Sequence, residues 1–116
     1  MAKFLIRWQI NSKYCPPTPQ ERENLELATL EEDYANFKAA HEAGTMIDTG
    51  RFVDRSGGYS ITQAPSEEVV FAELQKAREK WGPIVNFDVK EVLTIEEALE
   101  SARNVVERRK AAESQK

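Results

Sequence analysis

The sequence predicts an α+β domain whose elements run β-α-β-β-α-β and end in one further helix. Three observations carry this expectation. The chain has strand-like alternation near residue 4 and again near residue 85. Between them lie two stretches of helical periodicity with start and stop signals. A glycine-rich hairpin signal sits in the middle.

Phe4, Ile6, Trp8 and Ile10 alternate with Lys3, Leu5, Arg7 and Gln9, the period of a strand buried on one face. Tyr14-Cys15-Pro16-Pro17 cannot continue it, because proline removes a ladder donor and fixes φ. Thr18, Pro19 and Glu21 read as a capping box, opening a helix from about 19 to 43. In that helix Leu27, Leu30, Tyr34, Phe37 and His41 fall on one face, and Gly44 supplies the left-handed stop. Residues 46–53 and 59–64 read as two strands joined through Asp54-Arg55-Ser56-Gly57-Gly58. Ser66 is placed to cap a second helix with Val70, Leu74, Ala77 and Trp81 as its buried stripe, ended by Gly82-Pro83. Val85, Phe87 and Val89 alternate with Asn86, Asp88 and Lys90 as a fourth strand. Thr94 with Glu97 forms another capping box, and the terminal helix it opens is expected to bury Ile95, Leu99, Ala102 and Val106. Right-handed crossovers fold this order into a ferredoxin-like, four-stranded antiparallel sheet with helices on one face. Residues 1–110 are expected to form one domain, and 111–116 a frayed tail.

Composition narrows the function classes. The 116 residues carry 16 Lys plus Arg against 20 Asp plus Glu, a net charge of −4 that favours neither phosphate backbones nor anionic membranes. No apolar run spans a bilayer, and Arg7 interrupts the N-terminal stretch, which has no cleavage signal. Cys15 stands alone, so no internal disulfide forms and a reducing, cytoplasmic setting is expected.

One sheet face is covered by helices, which directs attention to the other. There the first strand presents Leu5, Arg7 and Gln9, and the fourth presents Asn86, Asp88 and Lys90, with Arg7 expected opposite Asp88. Three readings compete: a solvated ion pair, a polar lumen closed between two subunits around a small anionic or amide-bearing ligand, and an RNA platform. The last needs exposed aromatic rings. If Tyr59 and Ile61 face the helices, the third strand offers only Ser60 and Thr62, so no nucleic acid is expected.

The run Gly50-Arg51-Phe52, then Gly58-Tyr59-Ser60-Ile61, Ala64-Pro65-Ser66, Pro83 to Val89 and Val92-Leu93 resembles the dimeric α+β-barrel superfamily, which includes muconolactone isomerase. The likeness covers about half of the chain and rests on glycine, proline and apolar positions, so it speaks to fold rather than chemistry. It implies a homodimer by sheet-to-sheet packing, with a cavity near the open face of the kind that serves isomerases and oxygenases. It carries over no catalytic residue. The rival expectation is a non-catalytic structural or protein-interaction dimer.

The candidate catalytic residues are Arg7, Asp88 and His41, and the candidate ligand-binding residues are Arg7, Gln9, Asn86, Asp88, Lys90 and Arg51, whose face Gly50 leaves undecided. His41 is the only histidine and falls in the last turn of its helix, where a half-buried or capping role competes with acid–base duty. With no second histidine and one cysteine, no metal site is expected, and no cofactor is implied. Cys15 lacks a neighbouring cation to lower its pKa, and Tyr59 reads as a core residue. There is no Gly-x-Ser-x-Gly elbow, and Gly57-Gly58 precedes no helix that would cradle phosphate.

Overall fold

A computed structural model describes residues 1–115. The elements are β1 (Ala2–Ile10), α1 (Pro19–Glu42), β2 (Met46–Arg51), β3 (Gly57–Ala64), α2 (Glu67–Trp81), β4 (Val85–Val92) and α3 (Ile95–Ser114). They build one antiparallel sheet of order β2-β3-β1-β4, the ferredoxin-like α+β arrangement. The inner face of β1 meets α2 through Phe4, and Phe4, Ala64, Val70 and Leu74 are the buried core, with Ala2, Ile6, Phe87 and Val89 packed around it. No helix of the described residues is long and apolar enough to cross a membrane.

Local signals set the helix ends. The Thr18 hydroxyl accepts from the Glu21 backbone N–H at 3.2 Å, so half of the expected capping box forms. At the other end Gly44, at φ 78°, donates to His41 O, and Thr45 N–H donates to Ala40 O. Those two bonds make the Schellman closure that glycine permits. Ser66 precedes α2 as expected, but its side chain makes no capping bond. Thr94 and Glu97 form the complete reciprocal box at the start of α3.

Three sequence expectations change. Gly57 and Gly58 lie inside β3, not in the turn, which runs through Asp54, Arg55 and Ser56 with Arg55 at φ 64°. A Cβ on Gly58 would stand 2.3 Å from Gly50 O and 2.5 Å from the Trp8 ring, so glycine lets that ring lie across the strand. On α1 the stripe expected to be buried is largely outward: Leu27, Leu30 and Tyr34 are exposed. Asp33 on another face of the helix bonds Arg51 of β2 at 2.6 Å, and Glu32 pairs with Lys80 of α2. Glu26, Thr29, Asp33 and Phe37 line the space between α1 and the sheet instead. The third change is α3, whose Ile95, Leu99, Ala102 and Val106 are all exposed. It leaves the body as a helix about 30 Å long and continues through Ser114, past the point where fraying was expected; Lys116 lies outside the described residues. The molecule is accordingly elongated, with extents of 69 × 31 × 26 Å.

Candidate functional site

Register fixes which side chains share the open face. Arg7 stands opposite Asp88 on β4 and opposite Tyr59 on β3, while Gln9 faces Asn86 and Leu5 faces both Lys90 and Ile61. Directly opposed residues in antiparallel strands project to the same side. Tyr59 and Ile61 therefore join the open face, and Ser60 and Thr62 point toward the helices, which reverses the expected assignment. The alternation within β3 could not reveal this, because Tyr-Ser-Ile-Thr offers an apolar residue on one side and a β-tolerant polar one on the other.

The open face carries two bonded pairs. Arg7 Nη2 donates to Asp88 Oδ2 at 2.6 Å, and the Tyr59 hydroxyl donates to Asp48 Oδ2 at 3.0 Å. The Arg7 hydrogen bond lowers the Asp88 pKa below the usual carboxylate range, and the charges of Arg7 and Lys90 add to that. Asp88 is thus an ionised acceptor, not an acid. Its bond to Asp48 raises the Tyr59 pKa, so the phenol keeps its proton and remains a donor. Gln9 and Asn86 sit side by side next to the Arg7–Asp88 pair, both exposed, and offer amide donors and acceptors to an incoming group. Lys90 completes the cluster as an exposed cation.

The other two candidates lie elsewhere. Arg51 takes the inner face: it is opposite Gly58, its guanidinium is 5.4 Å from the Trp8 ring centroid, and its charge is met by Asp33. It does not join Arg7. His41 ends α1, stacks near Phe37 with ring centroids 5.2 Å apart, and places Nδ1 3.1 Å from Met46 O. This bond ties the helix end to the start of β2, so His41 closes a turn and is remote from the Arg7–Asp88 cluster. Cys15 is half-buried, with Sγ 3.7 Å from Asn11 O. Among the described residues no group of three or more His, Cys, Asp or Glu gathers to hold a metal ion.

Under α1 lies a feature the sequence did not announce. A cavity of about 860 Å³ opens between α1, α2 and the inner face of the sheet. Ile6, Trp8, Phe37, Leu74, Trp81 and Phe87 supply apolar wall. The space is open to solvent on one side, and its lining mixes this apolar wall with charged and polar side chains such as Arg51, Asp33 and Thr49. Solvent or a ligand therefore belongs in it. The only warning in the sequence is the weak amphipathic pattern of α1, whose Glu26, Thr29, Asp33 and Phe37 share the same three- and four-residue spacing as its leucines.

No protein-family model and no curated protein matches this chain.

Proposed function

We propose that the protein is a small-molecule-binding homodimer of the α+β-barrel type, in which two sheets face one another over a polar site. The observation that carries this reading is the open face itself. Among the described residues no helix covers Arg7, Gln9, Asn86, Asp88 and Lys90, although Leu5, Ile61 and Val92 of the same face are half-buried apolar residues that favour further covering. Lys3, Arg7 and Lys90 stand against Glu97, Asp88 and Asp48, so the charges balance, and Lys90 is the one of these cations in no ion pair among the described residues. The paired amides of Gln9 and Asn86 add directional hydrogen bonds. A ligand bearing a carboxylate or carboxamide matches this chemistry. Binding is favoured over catalysis because Asp88 and Tyr59 are both engaged within the chain.

Light scattering at several concentrations, followed by a stability screen against small carboxylic and amide ligands, tests the reading. A ligand that binds only the folded state raises the melting temperature. Gln9→Ala and Asn86→Ala are expected to remove that rise while leaving the dimer mass intact. A chain that stays monomeric at all concentrations sinks the sheet-to-sheet arrangement. A rise that survives both substitutions sinks the site.

A further inference from the structure

We propose that the cavity under α1 is a second, separate site, which takes a neutral and mainly apolar small molecule, aromatic or alicyclic, carrying one hydrogen-bonding oxygen. Its volume of about 860 Å³ lies within the roughly 300–1,000 Å³ of sites for drug-sized ligands. Its walls are largely aliphatic and aromatic, which selects an apolar body.

The oxygen is assigned from Ser60. This residue is only 7% exposed and lines the cavity from the centre of the sheet, and its hydroxyl, in no hydrogen bond with a described residue, is not sealed in but open to the cavity. A nearly buried hydroxyl gains from a partner, and a carbonyl or hydroxyl of the ligand supplies one. Neighbouring Thr49 is not available for this role as a donor, because its hydroxyl already donates to Tyr59 O at 3.0 Å.

Charge decides for a neutral ligand. Two of the three lining cations are already answered: Arg51 is bonded to Asp33 at 2.6 Å, and Arg55 lies 3.9 Å from Glu26. Arg22, the third, donates to Pro16 O at 3.4 Å, and the lining's three arginines stand against four carboxylates, Glu23, Glu26, Asp33 and Glu73. An anion would have to displace Asp33 from Arg51, or bind Arg22 against a lining whose net charge is negative. An uncharged body meets neither obstacle.

Trp8 and Trp81 are the two tryptophans of the chain and both line the cavity, so their emission reports on it directly. The probes are camphor, menthone and borneol, each alicyclic and neutral with one oxygen, with camphorsulfonate as the charged counterpart. Saturable change in tryptophan emission is expected with at least one neutral probe, and weaker binding with camphorsulfonate. Ser60→Ala is expected to weaken the best neutral probe about fivefold, and Ala77→Phe, which projects a ring into the space, to abolish binding with the circular dichroism spectrum unchanged. Arg7→Ala is expected to leave binding intact, which separates this site from the open face. Linear, non-saturating change with all three neutral probes overturns the proposal. So does equal affinity in Ser60→Ala, or undiminished binding in a folded Ala77→Phe variant.

Discussion

At the scale of single residues, close approach and hydrogen bonding set what can be changed. Gly57 and Gly58 are the least replaceable glycines of the fold, because a Cβ would meet the backbone oxygen of Trp8 at 1.9 Å and that of Gly50 at 2.3 Å respectively, and backbone within a paired strand cannot swing aside. Gly58→Ala is expected to destabilise the protein by about 1–3 kcal/mol, measurable by urea denaturation. Gly44→Ala meets no atom within 4 Å, and its penalty comes only from the positive φ, about 1–2 kcal/mol. Equal stability of Gly58→Ala and wild type would show that β2 and β3 separate more freely than their register implies. Glu97 gives a test by pH. It accepts from Thr94 N–H and from Lys3 Nζ, each at 3.0 Å, and the Thr94 bond first, then Lys3, lowers its pKa from 4.5 to about 2. A depressed folded pKa means that the unfolded chain takes up the proton first. The stabilisation is therefore full above about pH 4.5 and disappears as pH falls toward 2. Melting curves between pH 7 and pH 2.5 are expected to converge for wild type and Glu97→Gln as the pH drops. Curves that stay a constant distance apart would mean that Glu97 acts through something other than its charge.

At the scale of elements, what the sequence revealed depended on how local each signal is. Thr18, Gly44, Gly82 and the Thr94–Glu97 box act within a turn of their own helix, and the helix ends fall at or next to them. The alternation in β1 and β4 was equally legible because Phe4, Trp8, Phe87 and Val89 are large apolar residues with charged neighbours. That pattern was enough to place Arg7 across from Asp88 before any coordinates. Rotation of a helix about its axis is a different matter. It is set by partners distant in sequence, and α1 meets β2 through Asp33–Arg51 and α2 through Glu32–Lys80 while its leucine stripe faces outward. The face of Arg51 was hidden for a similar reason: β2 carries an irregularity between Met46 and Asp48, and a shift of one residue inverts every later side chain. The terminal helix follows from the same distinction. Its cap was readable, but nothing in its periodicity says whose surface it covers. Its one side-chain tie to the sheet is the Lys3–Glu97 pair, among the described residues. Deleting residues 95–116 is therefore expected to leave the sheet and α2 folded, with the melting temperature of the dilute protein lower by only a few degrees. Loss of all cooperative unfolding in that truncation would show that α3 belongs to the core of its own chain.

At the scale of the whole molecule, surface area argues for a partner. A compact monomer of 13.2 kDa is expected to expose about 6,400 Å², and this chain exposes 8763 Å². The excess, on the order of 2,000 Å², exceeds the roughly 800 Å² that each partner contributes to a standard interface. It comes from identifiable places: the outward leucines of α1, and the α3 stripe of Leu99 and Val106 with Leu93 and Ile95 before it. Ile95, Leu99, Ala102 and Val106 recur at steps of four, three and four, the spacing that lets one helix seat against another. Net charge is modest at −4, so repulsion between copies is a small obstacle. We expect the scattering mass at micromolar concentration to be twice that of the chain, and Leu99→Glu with Val106→Glu to return it to the monomer value without loss of helical signal. Dissociation by these changes but not by Arg7→Ala would assign the grip between subunits to α3, with the two sheets facing one another across the polar site without themselves holding the dimer together. Dissociation by Arg7→Ala alone would instead make the sheets themselves the adhesive surface. A monomer in every case would overturn the expectation that the Leu99–Val106 stripe of α3 seats against a second copy of the chain.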